Sequence, residues 1–169
     1  MRALGMMLLV AGLAACAAPG SGGGRGDAGA MPGSSMPFAG TWESCEGAST
    51  PAECSRYMLV QRGRRVCGTW SYVASGIGYE GRLIASATSE TLARRSHVCG
   101  RPGSETRTEC EDGWEAVDTP LRLCNGKLGD LGSADGICSA DHRPVPASES
   151  GHEALLSESW VQECLSRDP

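Results

Sequence analysis

Cysteine is the residue type that most constrains how this chain can fold. The sequence contains nine cysteines, and all but Cys16 lie in the segment 38–169. An even set of cysteines in an exported domain is typical of a disulfide framework formed in an oxidising compartment. We therefore predict four disulfides among Cys45, Cys54, Cys67, Cys99, Cys110, Cys124, Cys138 and Cys164.

The pairing of these cysteines is open, because roughly a hundred connectivities are available to eight of them. Closure of short, turn-rich loops favours three local pairs and leaves Cys67 to join the C-terminus to the core. The favoured pairs are thus Cys45–Cys54, Cys99–Cys110, Cys124–Cys138 and Cys67–Cys164. Each bridge contributes about 2–4 kcal/mol, largely by restricting the unfolded chain. The chain needs this contribution, since one Phe, three Tyr and four Trp give it few large side chains for a core.

The N-terminus has the order of a secretory signal. Arg2 precedes an apolar run from Ala3 to Ala15, and the run ends in small residues. As a helix it would span about 20 Å, too short for a hydrocarbon core about 30 Å thick. No later run is comparable. We predict a signal peptide over residues 1–15 and no transmembrane helix.

The end of this region, Leu13-Ala14-Ala15-Cys16, resembles the lipobox of bacterial lipoproteins. The resemblance implies that Cys16 is acylated on sulfur, becomes the mature N-terminus and anchors the chain to a membrane. Ala17 is not acidic, which in that family implies the outer membrane of the cell envelope, facing the periplasm. Cleavage by an ordinary signal peptidase, after Ala15 or Ala18, is the alternative.

The segment 16–37 is composed mainly of Gly, Ser, Ala and Pro. A segment of this composition cannot build a core and behaves as a flexible coil, with a reach of about 25 Å. We predict a tether between the lipidated Cys16 and a folded domain over residues 38–169.

Hydrophobicity alternates with period two in the middle of the domain. Val66, Trp70 and Tyr72 share one face of a predicted strand over 65–73, and Tyr79, Leu83, Ala85 and Ala87 share one face of another over 79–87. Residues 74–78 join them as a hairpin loop. Further strands are predicted at 40–43, 56–61, 92–99, 105–110 and 121–124, with a type II turn at 101–104.

The end of the chain has a different pattern. Residues 125–149 are rich in turn formers and are predicted to be loop. Capping-box spacing at Ser150 to Glu153 and apolar residues at helical intervals predict one helix over about 151–166. The predicted fold is all-β: a small antiparallel meander closed as a barrel or a sandwich, linked by disulfides, with a short C-terminal helix.

Charge is distributed unevenly over the domain. Residues 38–102 carry 8 Arg and 5 Glu, a net charge of +3, whereas residues 103–169 carry 5 Lys or Arg and 14 Asp or Glu, a net charge of −9. This balance argues against a nucleic-acid binder. It is compatible with a basic protein partner or with an ordinary solvated surface.

Catalytic and metal-binding motifs are absent from the sequence. It lacks GxSxG, HExxH, a phosphate-binding Gly loop and CxxC, so we expect neither a metal nor a cofactor. The acidic run Glu109-Cys110-Glu111-Asp112 and the oxygen-rich Asp130–Gly136 are interpreted as turns. Asp141 and His142 resemble half of a catalytic dyad, but adjacent residues rarely face each other, and a solvated loop His is the simpler interpretation.

The segment Ser75-Gly76-Ile77-Gly78-Tyr79 resembles the Ser-Gly-rich, Tyr-ending loop of periplasmic and membrane-bound lysozyme inhibitors. Those proteins are small, disulfide-containing β-barrels whose loop enters the lysozyme active site, so the resemblance implies partner-binding roles for Ser75, Gly76 and Tyr79. This loop is shorter than the family pattern, and a plain hairpin turn explains the same residues.

We therefore expect a cell-envelope lipoprotein with a non-catalytic binding domain, in its specific form an inhibitor of a basic lysozyme-like enzyme. The alternatives are a secreted envelope hydrolase that uses unassigned carboxylates and a structural envelope protein without a specific ligand.

Overall fold

The fold is seen in a computed structural model, which describes residues 36–46, 53–129, 140–146 and 151–167. The strands and helices of these residues are β1 Gly40–Glu46, β2 Glu53–Arg62, β3 Arg65–Ala74, β4 Ile77–Ala87, β5 Leu92–Gly100, β6 Glu115–Cys124, β7 Lys127–Gly129, β8 Arg143–Pro144, α1 His152–Leu156 and α2 Ser159–Ser166. The predicted signal peptide over 1–15, Cys16 and most of the predicted tether lie outside the described residues. Among the helices described, none has the length and apolar character needed to cross a membrane.

The strands form one antiparallel sheet in the order β7-β6-β5-β4-β3-β2-β1-β8. The two outer strands, β7 and β8, come together at one bridge. There the backbone N–H of Leu128 in β7 donates to His142 O (2.9 Å), and that of His142, the residue before β8, donates to Leu128 O (3.1 Å). The sheet is thus a nearly closed barrel. The prediction of an all-β antiparallel meander is confirmed, and of its two forms the barrel is present.

The alternation of hydrophobicity in the sequence correctly predicts the inward-facing residues of β3 and β4. Val66 and Trp70 of β3 are buried, as are Leu83 and Ala85 of β4, and all four belong to one apolar cluster inside the barrel. Trp70 fits there because its neighbour across the sheet is Gly81. A Cβ atom at Gly81 would lie 2.4 Å from Cζ2 of Trp70, so no larger residue is accommodated without displacing the indole.

The prediction of a strand over 105–110 was wrong, because these residues belong to the connection between β5 and β6. The carboxylate of Glu115 accepts hydrogen bonds from the backbone N–H of Arg107 and the hydroxyl of Thr106, each at 2.9 Å. Backbone donors that bind this side chain are not available for a strand ladder. The predicted type II turn is consistent with φ of +91° at Gly103 and with the 3.4 Å hydrogen bond from Ser104 N to Arg101 O.

The prediction of continuous loop over 125–149 was also wrong, since β7 and β8 lie within it. Asn125 (φ +52°) and Gly126 (φ +75°) form the two-residue turn between β6 and β7. Residues 130–139 and 147–150 lie outside the described residues, including the oxygen-rich run Asp130–Gly136.

The single helix predicted over 151–166 is two helices, because Glu158 is extended (φ −66°, ψ +130°) between them. The N-cap of α1 is Gly151, and Ser150, the first residue of the predicted capping box, lies outside the described residues. Leu155, Val161 and Leu165 pack in a second apolar cluster against Val60 of β2. The helices thereby cover part of the outer surface of the barrel.

Disulfides are present, as predicted. Three pairs lie within the described residues. Cys45–Cys54 and Cys99–Cys110 are local pairs that loop closure favours, and Cys67–Cys164 is the predicted link from the C-terminus to the core. Cys124 is also disulfide-bonded, while Cys138 lies outside the described residues. The bond from Cys67 to Cys164 fixes α2 to β3.

Candidate binding site

The hairpin of β3 and β4 ends in a tight turn that is open to solvent. Ser75 (φ +53°) and Gly76 (φ +73°) are its two central residues, and positive φ at both is the signature of a type I′ turn. On either side, Val73 and Ile77 are 42% and 41% exposed. The hairpin tip, defined here as residues 73–77, therefore presents two apolar side chains on a short and well-defined turn.

Tyr79 lies at the base of this hairpin and not at its tip. Its ring stacks on Tyr72 (centroids 5.1 Å apart), and Tyr72 stacks on Trp70 (5.8 Å). The guanidinium of Arg101 lies 5.8 Å from the centre of the Tyr79 ring and donates to Gly78 O (2.8 Å). The structure thus places Ser75 and Gly76 together at the tip, while Tyr79 is a half-buried support below them.

The aromatic stack lies next to a buried ion pair. Arg95 is 5% exposed and donates to the Glu105 carboxylate (2.6 Å) and to the Thr119 hydroxyl (2.8 Å). Burial raises the pKa of the Tyr72 phenol, and the nearby Glu105 and Tyr79 raise it further. Tyr72 therefore stays protonated and uncharged below the hairpin tip.

A groove of about 860 Å³ lies on the outer surface of β2, β3 and β4, beside the hairpin. Its floor and sides include Met58, Thr69, Ser71, Val73, Glu80 and Arg82. Glu109, Cys110 and Glu111, in the connection between β5 and β6, form another wall. The groove therefore joins the apolar flank of the hairpin tip to an acidic segment.

The acidic segment, defined as residues 109–112, is held in place by two bonds. Cys110 is bonded to Cys99 of β5, and the backbone N–H of Asp112 donates to Glu109 O (2.9 Å). Glu109, Glu111 and Asp112 are exposed, and none of the three forms an ion pair within the part of the chain that the structure describes. These carboxylates contribute negative charge on this side of the groove, opposite Arg82 and Arg101 in its lining.

The Glu115 carboxylate fixes the same connection from its other end. Its pKa is lowered, first by the hydrogen bond from the backbone N–H of Arg107 and then by that from Thr106. Both bonds favour the charged carboxylate over the neutral acid. The connection that carries the acidic segment is therefore tied down by charge-assisted hydrogen bonds.

A polar cluster away from the hairpin includes Ser55, which the sequence did not indicate as a functional residue. The hydroxyl of Ser55 is hydrogen-bonded to Nε2 of His142, and Asp141 Oδ1 lies 2.8 Å from Nδ1 of the same ring. Ser44 donates to the other Asp141 oxygen (3.2 Å). Asp141 and His142 were recognised as neighbours in the sequence, but Ser55 is 87 residues away from His142 and carries no motif.

Three further side chains each carry one atom of a type that binds metal ions, and these atoms lie close together. The residues are Glu43, Cys45 and Cys54. The two sulfurs are joined in a disulfide, and the carboxylate is bonded to Arg56. Neither sulfur is a thiolate, so these residues do not have the donors of a metal site.

Comparisons of the chain with family models, curated proteins and solved structures return no match. The interpretation of both sites therefore depends on their own geometry.

Proposed function

We propose that this chain is a cell-envelope lipoprotein whose barrel binds a basic protein partner through the hairpin tip. In its specific form the partner is a lysozyme-like enzyme that the barrel inhibits. The proposal is supported above all by one juxtaposition, an exposed apolar type I′ turn beside three carboxylates that have no ion-pair partner among the described residues. Binding through this surface requires no catalysis.

The hairpin tip is suited to entering a cleft in a partner. Covering Val73 or Ile77 contributes about 0.5–1 kcal/mol each, since more than half of either side chain is already buried. The stacked rings of Tyr72 and Tyr79 hold the base of the hairpin, so little conformational freedom is lost on binding. Val73 and Ile77 would therefore make the close contacts, with Tyr79 as their support.

The acidic segment is suited to attracting a basic partner. The potential of its three carboxylates acts over about 10 Å at moderate salt and falls as salt rises. Such a potential speeds encounter more than it slows dissociation. The two parts of the surface would therefore act at different stages of binding.

Membrane attachment through Cys16 would place this barrel in the cell envelope, at the outer membrane and facing the periplasm. The proposal rests on the resemblance of residues 13–16 to a lipobox. Mass spectrometry of the mature N-terminus tests it, with acyl mass expected on Cys16 and none in the Cys16→Ala chain. An unmodified N-terminus at Cys16, Ala17 or Pro19 contradicts it.

Inhibition is tested by lysis of a cell-wall substrate with several basic lysozymes, in the presence and absence of the purified domain. Replacing both Val73 and Ile77 by Ser is expected to weaken inhibition at least about tenfold, chiefly through faster dissociation. Leu156→Ser is the matched control, because this residue is 38% exposed but lies on α1. Equal losses in the hairpin and control variants contradict the assigned surface, and no inhibition at micromolar protein contradicts the lysozyme form.

A further inference from the structure

The cluster of Ser55, His142 and Asp141 has the composition and order of a nucleophilic serine centre. The Ser55 hydroxyl meets His142 Nε2, and the carboxylate of Asp141 approaches the opposite nitrogen, Nδ1, at 2.8 Å. This is the order in which a serine, a general base and an acid act in acyl transfer. We propose that Ser55 is the nucleophile of an esterase site for short-chain acyl esters, an activity that goes beyond the proposed binding function.

The imidazole is held in place by the packing of its ring and by the hydrogen bonds of its backbone. His142 is 4% exposed, and its ring packs edge-on against Tyr57 with centroids 5.1 Å apart. Its backbone forms both hydrogen bonds with Leu128 that complete the barrel. A base fixed in this way does not have to be ordered again when a substrate arrives, which is the requirement for efficient proton transfer.

Asp141 acts on the ring by its charge more than by a hydrogen bond. Although Oδ1 is 2.8 Å from Nδ1, it does not lie along the N–H direction, and Nδ1 has no hydrogen-bond partner among the described residues. A negative charge on this side still favours the tautomer with its proton on Nδ1, which leaves Nε2 free to accept the serine proton. Ser44 holds the carboxylate through its second oxygen.

The surroundings of Ser55 indicate a small substrate. Ser55 is half-buried and Asp141 is exposed, so a carbonyl group can approach the hydroxyl from solvent. The described side chains bonded within the cluster are polar, and Tyr57 beside it is only 3% exposed. This polar lining favours a short acyl group over a long apolar chain.

The reaction balances without a cofactor. The Ser55 oxygen forms a bond to the acyl carbon, its proton passes to His142 Nε2, and the ester C–O bond breaks as the leaving alkoxide takes that proton. A water molecule then attacks the acyl carbon and gives its proton to Nε2. The Ser55–acyl bond breaks, the acid leaves, and the serine oxygen recovers a proton.

Labelling by a fluorophosphonate and hydrolysis of p-nitrophenyl acetate by the purified domain test the proposal. We expect phosphonylation on Ser55, located by peptide mass spectrometry, and its loss in Ser55→Ala. His142→Gln retains a hydrogen-bonding partner for Ser55 but not a base, and is expected to lower the hydrolysis rate at least about 100-fold. Asp141→Asn is expected to lower it about tenfold or less, since its side chain is 69% exposed.

The chain offers a matched control in Ser96 and His97, an adjacent pair on β5 with Ser96 Oγ 3.0 Å from His97 Nδ1. His97→Asn and Ser96→Ala should leave labelling and hydrolysis unchanged, which separates a site at Ser55 from the general reactivity of imidazoles. Absence of label on Ser55, or unchanged hydrolysis in a folded His142→Gln domain, overturns the proposal and leaves a structural hydrogen bond. Hairpin variants Val73→Ser and Ile77→Ser should keep full esterase activity, so the two proposals fail separately.

Discussion

The β3–β4 and β6–β7 hairpins have the same kind of turn but opposite surroundings. Ser75-Gly76 and Asn125-Gly126 both have positive φ at two central residues. Beyond the first turn Ile77 is 41% exposed, whereas beyond the second Leu128 is fully buried. Local backbone chemistry thus makes the turn, but the neighbours decide whether a hairpin closes the barrel or presents a surface to solvent.

The largest expected difference between the hairpins is in their apolar side chains. Leu128→Ala should lower the free energy of unfolding by about 2–5 kcal/mol, because it leaves a cavity in the core. Ile77→Ala should lower it by about 1 kcal/mol or less, because the side chain is 41% exposed and lies outside the core cluster. Urea denaturation of both variants measures the contrast. A loss of comparable size at Ile77 would mean that the hairpin tip is part of the core and not a free surface.

Substitution of the turn glycines should have a smaller effect on stability, and the effect should be the same in both hairpins. Gly76→Ala and Gly126→Ala should each lower the free energy of unfolding by about 1–2 kcal/mol, since a Cβ atom disfavours positive φ. Nothing lies within 4 Å of a Cβ atom built at either glycine, so the cost is confined to the backbone. Denaturation curves again provide the measurement. Clearly unequal losses would show that one turn is coupled to its surroundings and the other is not.

The smallest expected effect is a change in stability at acidic pH. It arises from Glu115, the first residue of β6. Because the folded-state pKa of Glu115 lies below its ordinary value of 4.5, its stabilising contribution is present above that pH and is lost as the pH falls through the folded pKa. Glu115→Gln should therefore be less stable at neutral pH and lose less stability below pH 4.5 than the unmodified domain. Thermal unfolding against pH tests this, with Glu90→Gln, a substitution at an exposed position, as the control.

Much of the fold could be predicted because alternation with period two is a local property. The inward faces of β3 and β4 follow directly from Val66, Trp70, Leu83 and Ala85. The same reasoning failed at 105–110, because a side chain nine residues away from Thr106 takes the place of a partner strand. Asn125-Gly126 is a strong hairpin signal, but β7 after it has only three residues, too few for alternation to be visible.

The candidate sites were predictable to different degrees. The place of Ser75 and Gly76 in a turn could be predicted because turn chemistry is contained within the turn. The position of Tyr79 below the tip depends instead on Tyr72 across the sheet. Ser55 could not be found, since its contact with His142 exists only after the last strand has returned to the first two. The spacing of residues along the sequence does not reveal a contact that forms only when the barrel closes.

The disulfide between Cys67 and Cys164 also determines what a single proteolytic cut can do. These residues are 97 positions apart, and the covalent ring they close contains every strand from β4 to β8 and nearly all of α1 and α2. A protease that cleaves once between them opens the ring but releases no fragment. In an oxidising compartment the two ends of such a nick remain parts of one molecule, and the strands on either side stay available to each other for refolding.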